Sequence, residues 1–183
     1  MRPTEVELVT AIESATKAVI DALFAQHNES FYYICLLTSG EAARPVFSAW
    51  STESLVREFE QNSDTRIEDL KWSGHDSPYY GFGDEFFTSV AEIFERRPQI
   101  DSFLFGDDGW EAWRPDYELR LRAMESALAL LDGLSVFGEG HQRTSLYINV
   151  EVIPPDYTNT ERAKRLNPNS KVLTDWLDEA AED

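Results

Sequence analysis

The chain has 183 residues, 34 of them Asp or Glu against 16 Lys or Arg, for a formal net charge of -18; 42% of the residues are hydrophobic and 13% aromatic. That apolar content excludes a disordered acidic tail, and the charge excludes a surface that attracts nucleic acid or anionic membrane while favouring cationic partners. A chain of this length buries roughly 70% of the surface its unfolded form exposes, so one globular domain over residues 1–183 is expected.

The first element is a helix with its own start signal. Thr4 follows Pro3 as N-cap, Glu7 stands three residues on, and Val9, Ile12, Val19 and Leu23 recur at helical spacing to about Ala25. The run from Phe31 to Leu37 is short, aromatic and rich in branched residues, and reads as a buried strand. Turn residues Thr38 to Glu41 lead to a return strand, Val46 to Trp50, and Pro45 predicts that this strand starts late or lies at an edge.

Ser51 is placed to cap a second helix carrying Leu55, Val56 and Phe59, which the polar residues from Gln61 to Asp64 end. Ile67 to Trp72 fits a helix or a short strand equally. Glycines and Pro78 then bracket Tyr79 and Tyr80 in an irregular loop, after which Asp84 and Glu85 open a third helix that Pro98 stops. Gln99 to Arg114 reads as a loop with at most one short strand, at Phe103 to Phe105. Pro115 then begins the longest helix, with Tyr117, Leu121, Met124, Leu128 and Leu131 on one stripe.

Between Arg143 and Ile153 residues alternate, with Leu146, Ile148, Val150 and Val152 on one face and Tyr147, Asn149 and Glu151 on the other, which predicts a strand with one covered and one wet face. A short helix near Thr160 to Leu166 and a last one carrying Val172, Leu173, Trp176 and Leu177 close the chain. Strands and helices do not alternate strictly. The expectation is therefore an α+β fold, with a mostly antiparallel sheet of four to five strands and helices packed mainly on one face.

Catalytic signals are weak. The three histidines, His27, His75 and His141, show no metal-ligand spacing, no G-x-S-x-G elbow is present, and Cys35 lies mid-strand, where a thiol acts as a small hydrophobe. Gly81-Phe82-Gly83 is followed by acids rather than by a lysine, which argues against a phosphate loop. No cofactor or metal is expected, and the balance leans away from an enzyme. The single cysteine, with no signal peptide and no apolar run near the roughly 20 residues a membrane span needs, predicts a cytoplasmic address.

One region stands out as a candidate binding surface: Trp72, His75, Asp76, Tyr79, Tyr80 and Phe82, joined in space by Trp110, Glu111 and Trp113. Rings beside carboxylates receive Lys and Arg through cation-π contacts and charge-assisted hydrogen bonds; the competing reading is that the rings close the core beneath a loop. The acidic last helix, where Asp175, Asp178, Glu179, Glu182 and Asp183 outnumber Lys171, opposes the helix dipole and so serves solubility or docking rather than local stability.

The runs Phe31 to Thr38, Ser48-Ala49-Trp50-Ser51-Thr52-Glu53, Leu70-Lys71-Trp72-Ser73 and Asp76-Ser77-Pro78-Tyr79 resemble, in this order, a bacterial family designated domain of unknown function 4303. The resemblance carries over no catalytic residue, and it implies a loose association with toxin-immunity modules. Two functions are expected to compete. The first is an acidic binding protein, of immunity type, that docks a basic toxin or nuclease; the second is a small-ligand binder or enzyme using the loop from Trp72 to Phe82 as a lid. Neither reading sets the oligomeric state.

Overall fold

The computed structural model describes residues 1–61, 66–99, 107–168 and 170–181. The first helix, α1 (Glu5–Gln26), starts where the sequence places it: the Thr4 hydroxyl accepts from the Glu7 amide, and the Glu7 carboxylate accepts from the Thr4 amide in return. Its stripe of Leu8, Ile12, Val19, Ile20 and Leu23 is fully buried. Each such side chain stabilises the fold by about 1.5–3 kcal/mol relative to exposure.

Among the described residues three strands make the sheet, in the order β2-β1-β3. The central strand, β1 (Phe31–Ser39), runs antiparallel to β2 (Val46–Ser51), with Cys35 opposite Ser48, and parallel to β3 (Tyr147–Ile153), with Tyr33 opposite Tyr147. The fold is thus α+β with a three-stranded mixed sheet, not four to five antiparallel strands. β2 begins directly after Pro45 and lies at an edge.

Both edges are sealed by groups that are not strands, and this is why the sheet stops at three. Along β3, Asn159 accepts from the Val152 amide at 2.8 Å and donates to the Val152 carbonyl at 3.0 Å. Asn167 does the same for Ile148, at 3.0 and 2.7 Å, and Arg162 donates to the Val150 carbonyl between them at 2.9 Å. All three residues come from α7 (Tyr157–Leu166) and its C-cap, so a helix reproduces the hydrogen bonding of a fourth strand. Along β2, the Gly81 amide donates to the Phe47 carbonyl at 2.9 Å and the Ser77 hydroxyl donates to the Ala49 carbonyl. The aromatic loop is that edge's cover.

Helices lie on both faces of the sheet rather than mainly on one. Ile34, Leu36, Phe47, Ile148, Val150 and Val152 meet α1, α4 (Thr88–Glu95) and α5 (Asp107–Gly133). Tyr33, Cys35, Leu37, Trp50 and Tyr147 meet residues of α2 (Thr52–Gln61), α3 (Ile67–Lys71) and α8 (Lys171–Glu179). The predicted wet face of β3 is therefore dry. Asn149 is fully buried and Glu151 nearly so, and the Glu151 carboxylate accepts from the hydroxyls of Tyr33 (2.8 Å) and Tyr147 (3.1 Å) and from the Cys35 thiol (3.5 Å). The Tyr147 ring is stacked between Tyr33 and Trp176, at 5.6 and 5.0 Å.

Of the two forms the pattern allows for Ile67 to Trp72, the helix is the one formed, over Ile67–Lys71. Two boundaries differ from the pattern-based reading. A short helix, α6 (Gly140–Thr144), takes Arg143, which the alternation had assigned to the strand. The longest helix begins at Asp107 rather than at Pro115, so Trp110 to Arg114, read as loop, are helical, and Phe103 to Phe105 lie outside the described residues. Pro115 gives up one intrahelical donor. The turn ahead of it is held by side chains instead, Trp110 against Tyr117 at 5.2 Å and Trp113 against the Arg120 guanidinium at 4.7 Å.

Candidate functional site

The loop that covers β2 divides the predicted aromatic group in two. Trp72 is buried, its indole donates to Glu179 at 2.7 Å, and it packs on Tyr32 and Tyr147. Tyr79 is also buried, and its hydroxyl donates to Glu29 at 2.8 Å. His75, Asp76 and Tyr80 stay at the surface: the His75 ring stacks on Tyr80 at 5.0 Å, and Asp76 accepts from the Ser73 hydroxyl. Phe82 is half-buried and packs edge-on against His27 at 5.7 Å.

The second predicted group lies at the start of α5, where its rings meet Tyr117 and Arg120 rather than the rings of the first group. Trp110 is exposed and Glu111 pairs with Arg114 at 2.6 Å, whereas Trp113 is buried. Arg44 stands between the two groups. It lines a cleft of about 310 Å³ with His75 and Tyr80, at the carboxyl ends of β1 and β3, and also one of about 270 Å³ with Trp113 and Arg120.

From Ser77 to Phe87 the backbone runs through consecutive tight turns into the 3-10 helix Asp84–Phe87. Gly81 and Gly83 sit at positive φ, +73° and +68°, which that path requires and glycine adopts without strain. The run presents two exposed rings, Tyr80 (43%) and Phe86 (40%), on a stretch that also carries Asp84 and Glu85, with Asp76 just ahead of it. Arg44 pairs with Asp84 at 2.6 Å.

Most cations among the described residues are already paired within the molecule. Among the described residues, every Lys and Arg except Arg96, Arg162, Lys164 and Lys171 is held in an ion pair, and Asp116 alone receives Arg2, Arg97 and Arg120. With twice as many acids as bases, the carboxylates left over set the external field.

Pattern reading missed a further group at the amino end of β1. A cleft of about 520 Å³ opens there, lined by Phe24, His27, Phe31, His141, Ser145 and Leu146 among others. Glu29 beside it accepts from Tyr79 and Ser51 and pairs with Arg57 at 2.8 Å; Tyr79 meets Nδ1 of His27 at 3.2 Å. The available signal was His27-Asn28-Glu29 at a helix-to-strand junction, where loops carry function. Among the described residues no three His, Cys, Asp or Glu side chains converge as a metal set, and no helix is long and apolar enough to cross a membrane.

Comparison with curated proteins and with solved structures finds no match. The family described as Domain of unknown function (DUF4303) matches residues 12–168, a span that takes in all three strands and both edge covers, and the chain belongs to that family.

Proposed function

We propose that the protein is a non-enzymatic binding protein that docks a basic protein partner, in the manner of an immunity protein that neutralises a cationic toxin. The observation that carries this reading is the pairing of two exposed rings, Tyr80 and Phe86, with Asp76, Asp84 and Glu85 on one run of turns, in a molecule whose own cations are mostly consumed internally. Long-range attraction brings a basic surface in, and rings that strip water from Lys and Arg stems hold it.

The test starts with affinity capture from the native host, followed by measurement of the purified pair. Dissociation is expected to rise steeply with salt. Tyr80→Ala with Phe86→Ala is expected to cost ~2 kcal/mol or more, as truncation of anchor residues does. Salt-insensitive binding, or full affinity in the double variant, sinks the proposal.

A second reading, small-ligand binding beside the same loop, is favoured by the cleft of about 310 Å³ that His75, Tyr80 and Arg44 line. In that reading the loop serves as a fixed wall rather than a lid, because Trp72 and Tyr79 are locked in the core.

A further inference from the structure

The cleft of about 520 Å³ at the amino end of β1 exceeds both clefts beside Arg44, and docking at Tyr80 and Phe86 makes no use of it. Its volume lies in the range of small-molecule sites. Phe24, Phe31 and Leu146 give it apolar walls, and the residues that line it include no Lys or Arg.

Hydrogen bonding sets the state of one lining residue, His27. Burial works against a charge on Glu29, but the hydrogen bonds from Ser51, Arg57 and Tyr79 outweigh it and hold the carboxyl below its usual range. Burial and the neighbouring Glu29 push the Tyr79 phenol up to about 12, so it keeps its hydrogen. A phenol has one hydrogen to give. Because Tyr79 gives it to Glu29, the Tyr79 oxygen is left to accept from Nδ1 of His27 at 3.2 Å. Nδ1 of the uncharged ring therefore carries the hydrogen, and Nε2 presents a bare lone pair that has no partner among the described residues.

We infer that this cleft is a binding site for a small organic amine, whose ammonium donates to Nε2 of His27 while its apolar body lies against Phe24, Phe31 and Leu146. Three features select an amine over an acid. The ring nitrogen is an acceptor, Glu29 is the only formally charged residue among those lining the cleft, and the net charge of -18 draws cations and repels anions at range. Glu29 and Tyr79 act as positioning residues, since both work through the tautomer of His27.

The experiment uses the full chain, labelled on histidine, at mildly alkaline pH, with benzylamine as probe and benzoate as its anionic counterpart. Nitrogen-detected spectra of the free protein are expected to show His27 with hydrogen on Nδ1. Benzylamine is expected to shift His27 and Phe31 resonances saturably at millimolar concentration, and benzoate is expected to leave them unmoved. Tyr79→Phe is expected to bind benzylamine about fivefold more weakly, the worth of one net hydrogen bond, and to let hydrogen appear on Nε2. The inference is overturned by an Nε2-protonated His27 in the unliganded wild type, by unsaturable benzylamine shifts, or by benzoate binding as tightly. All three of these readouts use the unaltered protein, so a folding defect in the variant does not obscure them.

Discussion

Cys35 and Glu151 show how one buried position changes the chemistry of another. Burial first, and then the adjacent Glu151, push the Cys35 thiol well above its ordinary range, so the thiolate that reacts with disulfide reagents is absent in the fold. Cys35 is expected to resist an aromatic disulfide reagent under native conditions and to react fully in denaturant, as followed by absorbance. Burial likewise raises the Glu151 carboxyl, against the three donors from Tyr33, Tyr147 and Cys35. A carboxyl raised in the folded state binds its proton more tightly folded than unfolded. Its contribution to stability is thus complete below the ordinary carboxyl range and is lost as pH rises through the folded value. Glu151→Gln is expected to remove that loss, so that urea midpoints of wild type and variant diverge in the variant's favour as pH rises. The alternation of β3 was legible in the sequence. That its second face is dry was not, because Trp72 and Trp176, which roof it, come from elements far away in the chain.

Two helices act through polar side chains rather than through their apolar stripes. Asn159→Ala in α7 leaves the Val152 amide and carbonyl without their partners and reopens the edge of β3. The expected cost is about 1–3 kcal/mol for each buried group orphaned, read from urea unfolding, with increased light scattering as bare edges pair between molecules. In α5, Asp116 ties three segments together: Arg97, which also reaches the Pro3 carbonyl; Arg120, which reaches the carbonyls of Ala42 and Pro98; and Arg2. Burial opposes its charge, yet the hydrogen bonds from Arg97, Arg2 and Arg120 win and hold the carboxyl below its usual range. Its contribution to stability is present above the ordinary carboxyl range and is lost as pH falls through the lowered folded value. Asp116→Asn leaves two buried guanidiniums facing a neutral amide and is expected to cost roughly 3–5 kcal/mol at neutral pH, measured by chemical denaturation. Arg97 falls just before Pro98, the stop of the third helix that the sequence predicts, and it is buried, but its partner Asp116 lies beyond the reach of any local pattern.

Charge governs the molecule as a unit. At -18, the folded form repels itself more strongly than the expanded chain, and salt relieves the difference. Raising sodium chloride from about 10 to about 150 mM, which shortens the screening length to roughly 8 Å, is expected to raise the melting temperature; a flat or falling midpoint speaks against net repulsion as the controlling effect. The same salt is expected to weaken any basic partner, so stability and affinity move in opposite directions. The capped start of the first helix, the buried central strand, the edge character that Pro45 predicts and the balance of charge could all be read from the amino acids, because caps, periodicity and composition are properties of neighbours in the chain. The parallel pairing of β1 with β3, the sealing of both sheet edges and the choice of which loop rings stay outside could not. Tyr79 and Tyr80 are adjacent and chemically identical, yet one reaches Glu29, 50 residues away, and the other faces solvent. That difference arises from contacts between distant segments, which no local rule encodes and which form only when the chain closes on itself.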